Sequence, residues 1–139
     1  MVLSTQVKHV GIRDGIPSGY EVFIDGARLA TGLDALDWVR RGEELGAGEI
    51  VVNSIDKDGT ASGYDLDITR AVADAVNVPV IASGGAGNVD HIADGLTTGG
   101  ASAAIISSIL YSPRLDRNVG VKELKEGLLG KGVPMRPYL

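Results

Sequence analysis

The stretch at residues 80–87, Val-Ile-Ala-Ser-Gly-Gly-Ala-Gly, constrains the fold more than any other part of the chain. A short apolar strand runs directly into glycines, and the polar residues Asn88 and Asp90 then mark the start of a helix. Glycines in this place bring backbone N–H groups close to a helix N-terminus, and such a loop binds phosphate. The stretch therefore predicts a strand–loop–helix unit whose loop faces an anionic ligand.

The same unit recurs along the chain. Apolar runs predict strands, and residues at helical spacing predict a helix after each strand. The predicted strands are residues 2–10, 49–53, 78–82 and 101–106, and the predicted helices are residues 31–45, 65–76, 88–98 and 121–129. In the first unit, the Asp25-Gly26 pair between two short runs, residues 20–24 and 27–31, predicts an inserted β-hairpin.

Continuously apolar strands are typical of a parallel sheet, so the fold class is α/β. A doubly wound sheet and a segment of a (β/α)8 barrel both fit the pattern. A whole barrel usually takes about 250 residues. One domain over residues 1–139 with four strand–helix units is therefore close to half a barrel.

Composition excludes several classes of function. The net charge is −5 and no Lys/Arg cluster stands out, which argues against nucleic acid as a partner. The chain has no cysteine, and its histidines, His9 and His91, lie far apart in the pattern, so we expect no metal and no cofactor. No signal-peptide pattern is present, and no apolar window reaches the roughly 20 residues of a membrane span. We therefore expect a cytoplasmic protein with no membrane partner.

Ligands of both α/β folds bind at the carboxyl ends of the strands. Three consecutive units end there in hydroxyls, glycines and a carboxylate, which predicts one phosphate site shared between them. The predicted phosphate-binding residues are Asp58, Gly59, Ser83, Gly84, Gly85, Ser107 and Ser108. In the alternative, the glycines only form tight turns and Asp58 caps its own loop. Since residues 84–87 lack the full G-x-G-x-x-G spacing, they do not indicate a nicotinamide site.

Other single residues receive ordinary structural interpretations. We expect Leu33, Leu36, Val39 and Leu45 to form the apolar face of the first helix, with Trp38 packed near it. We expect His91 to be solvated on a surface helix.

Several motifs together resemble the cyclase subunit of imidazole glycerol phosphate synthase, and the resemblance covers nearly the whole chain. These motifs are residues 46–50, 54–60, 62–65, 79–87 and 133–137. The resemblance implies a (β/α)8 barrel of two similar halves, each with a phosphate site, of which this chain is the C-terminal half. It assigns Asp58, Gly59, Gly85, Ser107 and Ser108 to one of the two sites. It also places Glu49 in a charged ring at the barrel floor, where ammonia enters from a glutaminase partner, and Asn53 and Ser83 along the interior of the strand ends.

The reaction implied by the resemblance is attack of ammonia on a phosphoribulosyl formimino carboxamide ribonucleotide. Its products are imidazole glycerol phosphate and an aminoimidazole carboxamide ribonucleotide. Two carboxylates, one from each half, carry out the acid–base chemistry in this family. The second-half carboxylate falls on Gln6, which can donate hydrogen bonds but cannot transfer a proton at neutral pH.

The open edges of a half barrel must pair with something. We therefore expect this chain to dock on an N-terminal half-barrel or on a second copy of itself. Two functions fit these expectations. The chain is either part of the histidine-biosynthesis cyclase, with a phosphorylated small molecule as its substrate, or a non-catalytic phosphate-binding half-barrel that acts in assembly.

Overall fold

A computed structural model describes residues 1–112 and 118–137 of the chain. The prediction of one domain over residues 1–139 thus includes some positions outside the described residues. The strands are β1 (Val2–His9), β2 (Tyr20–Ile24), β3 (Leu29–Asp34), β4 (Glu49–Ser54), β5 (Val80–Ser83) and β6 (Ala103–Ala104). The helices are α1 (Ala35–Glu44), α2 (Leu66–Ala75), α3 (Val89–Leu96) and α4 (Val121–Gly130), with one 3-10 turn at Ser108–Leu110.

The strands form one sheet in the order β3-β2-β1-β4-β5-β6. Strands β1, β4, β5 and β6 run parallel, and the chain passes through a helix after each of them. Strands β2 and β3 form an antiparallel hairpin on the edge of β1. The predicted repeat of four strand–helix units, with a hairpin in the first, is therefore confirmed.

The helices cover a single face of the parallel sheet, which we call the outer face. It consists of alternate strand residues that face the helices: Leu3, Thr5, Val7, Ile50, Val52, Val80, Ala82 and Ala104. These residues pack against buried side chains of α1 and α2 in one cluster, and of α3 and α4 in another. A doubly wound sheet carries helices on both faces, so this arrangement is that of a barrel segment.

The opposite face, which we call the inner face, carries no helix among the described residues. Its residues stand in register across the strands in two rows: Ser4, Val51, Ile81 and Ala103 in one, and Gln6, Asn53 and Ser83 in the other. Val51 is buried, whereas the others are half-buried or exposed. Because parallel strands place alternate residues on opposite faces, an apolar outer face leaves the polar positions here.

The hairpin differs in detail from the prediction. Its turn has four residues, 25–28, because Ala27 adopts a positive φ (67°) after Asp25 and Gly26. The second strand also runs on to Asp34, so α1 begins at Ala35 and not near residue 31. The Asp34 carboxylate fixes that start by accepting hydrogen bonds from the N–H groups of Leu36 and Asp37.

The apolar face of α1 and the length of the last strand also differ from the prediction. Leu33 and Leu45 lie outside α1 and are 44% and 64% exposed, so they do not belong to its apolar face. The last strand pairs only over Ala103–Ala104, although the N–H of Ile105 still bonds the carbonyl of Ala82 at 2.8 Å. Trp38, by contrast, packs against the core as predicted.

In the part of the chain that the structure describes, no helix has the length and apolar character needed to cross a membrane.

Candidate functional site

The carboxyl ends of β4, β5 and β6 enclose a small cleft of about 50 Å³. Residues from three different loops line it, because parallel strands end at the same edge of the sheet. The lining includes all of the predicted phosphate residues: Asp58, Gly59, Ser83, Gly84, Gly85, Ser107 and Ser108. The structure thus brings these residues together, and their role in binding phosphate stays a prediction.

The backbone of the loop after β5 packs directly against the backbone of the loop after β4. The N–H of Gly63 donates to the carbonyl of Gly85 at 2.8 Å, and both residues have a positive φ. A Cβ on Gly85 would overlap the carbonyl group of Gly63, and a Cβ on Gly84 would lie 2.8 Å from the carbonyl oxygen of Ser54. Glycine is therefore required at both positions to let the two loop backbones approach.

Within the described residues, the loops after β5 and β6 leave backbone donors without partners. Among the hydrogen bonds of the described residues, none is donated by the N–H groups of Gly84, Gly85 or Ser107. Gly85 is itself a buried residue. Buried N–H groups are nearly always paired, so unpaired donors around a cleft are suited to an anionic oxygen.

Gln6 lies one strand away from this cleft, in a row of three polar residues. It is in register with Asn53, which is in register with Ser83. The hydroxyl of Ser83 donates to Oδ1 of Asn53 at 2.9 Å. Gln6 and Asn53 also line a second cavity, of about 310 Å³, which Asp58 and the hairpin residues Gly26 and Ala27 help to enclose. Asp58 lines both cavities, so the row connects the phosphate residues to the predicted catalytic position.

Glu49 is not part of either cavity. It is the first residue of β4, in register with Val2, and is exposed at the amino end of the sheet. The other site residues lie at the carboxyl end. The structure therefore separates Glu49 from them by the length of the strand, and its role at a barrel floor stays a prediction.

Two tyrosines hold the surrounding loops. The hydroxyl of Tyr64 donates to the carbonyl of Ile105 at 2.7 Å, and burial raises the pKa of Tyr64 to about 12. The hydroxyl of Tyr20, on the hairpin, donates to Asp65 at 3.1 Å, and burial followed by the nearby Asp65 carboxylate raises the pKa of Tyr20. Both phenols are therefore protonated at pH 7 and hold the loops as hydrogen-bond donors.

His91 has a role that the sequence analysis missed. It is half-buried, and its Nδ1 accepts a hydrogen bond from the N–H of Gly87 at 3.1 Å. The expectation of a solvated ring was wrong, because the first turn of α3 presents the ring to the glycine loop. The signal was the spacing of Asn88 and His91, which is that of a reciprocal helix cap.

Comparisons with known proteins agree with this architecture. Residues 2–116 match the family model described as histidine biosynthesis protein. The chain is 54% identical over 136 residues to the "Imidazole glycerol phosphate synthase subunit HisF" of Solidesulfovibrio magneticus, which covers 98% of this chain and 51% of that protein. It is 52% identical to the protein of that name from Oleidesulfovibrio alaskensis and 49% identical to that from Nitratidesulfovibrio vulgaris, with the same coverage.

The chain thus spans about half the length of the curated relatives it matches. Proteins of this family are (β/α)8 barrels, which agrees with the four parallel strands and one-sided helices seen here. The predicted half-barrel fold is therefore confirmed. With a family match over most of its length, the chain belongs to the histidine biosynthesis protein family, as a partial cyclase-type subunit.

Proposed function

We propose that this chain is the half of a histidine-biosynthesis cyclase that binds one phosphate group of the substrate. The proposal rests mainly on the cleft after β4, β5 and β6, where the N–H groups of Gly84, Gly85 and Ser107 have no partner among the described residues. Ser108, whose hydroxyl is a further donor, lines the same cleft. Neutral donors of this kind bind a phosphate without any basic side chain.

The reaction we propose is the one carried out by the whole cyclase. Ammonia converts a phosphoribulosyl formimino carboxamide ribonucleotide to imidazole glycerol phosphate and an aminoimidazole carboxamide ribonucleotide. The resemblance implies that this half would present its acid–base carboxylate at the position of Gln6, which is in register with Asn53. A glutamine amide can hold a substrate oxygen by hydrogen bonding, but it does not exchange a proton at neutral pH. We therefore expect the isolated chain to bind phosphate and not to catalyse cyclisation.

The partner we propose is an N-terminal half-barrel, with a second copy of this chain as the other candidate. The hairpin pairs with β1 only from Gln6 to His9, which leaves the edge of β1 from Val2 to Thr5 open. On the other side, β6 has no further strand beside it among the described residues. The edge next to β6 is apolar, with Ile105 exposed and a groove of about 270 Å³ between β6, α3 and α4. Two open edges and a half-exposed inner face support closure by a second half.

A glutaminase subunit is a further partner that we propose for the assembled barrel. Its surface would be the amino end of the sheet, where Glu49 is exposed. A carboxylate there is suited to an ammonia or ammonium path into the barrel interior. We place this assembly in the cytoplasm, where phosphorylated metabolites are made and retained.

The test is ammonia-dependent cyclisation by the full chain, measured alone and after addition of the first half of a full-length relative. We expect no turnover by the chain alone. With the first half added, we expect weak turnover that Gln6→Asp raises by at least about 100-fold, the lower range for a general acid–base group. Gln6→Glu is the matched control, since it adds a carboxylate that is one methylene longer. If neither the unchanged chain nor either variant shows turnover when paired with the first half, the proposal is contradicted.

The second candidate is a phosphate-binding half-barrel without catalysis, which acts in assembly. Gln6 favours it, because the position that needs a carboxylate has an amide. Turnover that appears only with Gln6→Asp would support this candidate for the natural chain. Turnover by the unchanged chain paired with a first half would exclude it.

A further inference from the structure

His91 lies where the two glycine loops of the phosphate cleft meet. Its Nδ1 accepts from the N–H of Gly87, at the end of the loop after β5, at 3.1 Å. The same ring packs on the loop after β4: a Cβ on Gly63 would be 3.4 Å from Cδ2 of His91. One side chain thus contacts two of the three loops that form the cleft.

The contact with Gly87 is half of a reciprocal cap. The side chain of Asn88 accepts a hydrogen bond from the N–H of His91 at 2.9 Å, and the His91 ring reaches back to the N–H of Gly87. In the usual capping box, a Glu or Gln at the third helical position reaches back to the start of the helix. His91 occupies that third position in α3, and its bond falls one residue earlier, on the loop itself.

The bond also fixes the protonation pattern of the ring. A neutral imidazole has one donor nitrogen and one acceptor nitrogen, so an accepting Nδ1 places the proton on Nε2. Nε2 lies 3.5 Å from Nδ2 of Asn88, which is too long to determine the tautomer. In an imidazolium, Nδ1 would carry a hydrogen that faces the N–H of Gly87, so the hydrogen bond that holds the loop could not form.

We propose that His91 is a positioning residue for phosphate binding: through Gly87 and Gly63 it holds the loops after β5 and β4 in the arrangement that presents the free N–H groups of Gly84 and Gly85. This inference rests on the proposed function of the cleft. It is independent of the resemblance, because it follows from the bond to Gly87, the packing on Gly63 and the cap with Asn88. His91 does not touch the cleft and takes no part in the reaction itself.

Two substitutions separate the acceptor from the ring. His91→Phe keeps a ring against Gly63 and removes the acceptor, whereas His91→Gln removes the ring and keeps an acceptor that can reach back. Inorganic phosphate is titrated into the full chain and followed by amide chemical shifts of the loop glycines. We expect His91→Phe to weaken phosphate binding about five-fold, the loss typical of one hydrogen bond, and His91→Gln to restore most of it. His9→Phe, at the other histidine of the chain, is the matched control and should bind phosphate as the unchanged chain does.

A second measurement needs no substitution. Ring ¹⁵N shifts of the unchanged chain should show His91 as the Nε2–H tautomer with a hydrogen-bonded Nδ1, coupled to the N–H of Gly87. A Nδ1–H tautomer, or equal phosphate affinity in the Phe variant, would overturn the role of His91 and leave the cleft intact. No response of the unchanged chain to phosphate would overturn the proposed function of the cleft, and the role of His91 with it.

Discussion

Val7, Ile50 and Val80 on the outer face of the sheet are almost fully buried under helices, whereas Gln6, Asn53 and Ile81 on the inner face are only half-buried. Both sets come from the same strands and alternate along them. The difference is that the chain supplies four helices for one face and, in its described residues, nothing for the other.

This contrast shows that only one of the two faces of the sheet is covered within the described residues. In a whole barrel the inner face is filled by side chains from all eight strands, packed in layers. Here four strands contribute two rows of inner-face residues, each row in register across neighbouring strands. The outer face therefore carries the hydrophobic core of the chain, and the inner face is left open in the described residues.

Matched isoleucine-to-alanine substitutions on the two faces should show the largest difference. Ile50 is fully buried on β4 and Ile81 is half-buried on the neighbouring β5. Ile50→Ala should lower the free energy of unfolding by about 3 kcal/mol, since a buried cavity adds to the lost transfer energy. Ile81→Ala should lower it by about 1 kcal/mol, since part of the side chain is already in water. Urea unfolding monitored by circular dichroism measures both values, and equal losses would mean that the inner face is already covered in the chain alone.

Much of this contrast could be predicted from the sequence. The apolar runs around Ile50 and Val80 indicate parallel strands, and the helical spacings indicate what covers them. The sequence could not decide between helices on one face and helices on both, because periodicity says only that a strand is buried. The one-sided arrangement became clear from the register of Val52 with Ala82 and from the helix clusters on that side.

The second largest effect of a substitution is expected in the glycine loop after β5, at the carboxyl end of the inner face. Gly85→Ala places a Cβ against the carbonyl of Gly63, so the two loops must separate. We expect a loss of about 2 kcal/mol in stability, from the positive φ and the overlap together, and loss of detectable phosphate binding. Gly11→Ala is the control, because its φ is also positive (+80°) but nothing lies within 4 Å of the new Cβ.

Gly11→Ala should cost about 1 kcal/mol from the positive φ alone and leave phosphate binding unchanged. Chemical unfolding and phosphate titration by calorimetry measure the two effects separately. Normal phosphate affinity in the Gly85 variant would show that the cleft is not the binding site.

The site was only partly predictable for a related reason. Glycines after consecutive strands indicate a phosphate loop, and the residues chosen on that basis do meet in one cleft. The bond from Gly87 to His91 was not predicted, because a histidine in the first turn of a helix ordinarily faces solvent. The length of the hairpin turn was also predicted wrongly. An Asp-Gly pair predicts a two-residue turn, and the sequence gives no sign that Ala27 adopts a positive φ.

A smaller effect is expected where a helix of the outer face begins. Asp34 accepts hydrogen bonds from Ser18 at 2.7 Å and from Leu36 at 2.9 Å. Burial raises the pKa of Asp34, but hydrogen bonds from Ser18, Asp37 and Leu36 outweigh burial and lower the pKa below its ordinary value. The stabilisation is therefore fully present above the unfolded pKa of about 3.9 and is lost as the pH falls through the lower folded value.

Asp34→Ala should accordingly lower the free energy of unfolding by about 1.5 kcal/mol at pH 7. The difference from the unchanged chain should shrink as the pH falls below about 4, where the carboxylate becomes protonated first in the unfolded chain and, at lower pH, in the folded chain. Asp37→Ala, at an exposed carboxylate in the first turn of the same helix, is the control and should cost about 0.5 kcal/mol. A difference that does not depend on pH would show that the charge of Asp34 is unimportant.

The claim that the inner face is built to be closed by a second half is tested most directly by light scattering coupled to size-exclusion chromatography. We predict that the molar mass of the chain rises with concentration toward that of two copies. Addition of the first half of a full-length relative should convert it to a one-to-one complex of fixed mass. A single-chain mass at every concentration, with and without that first half, would contradict the account.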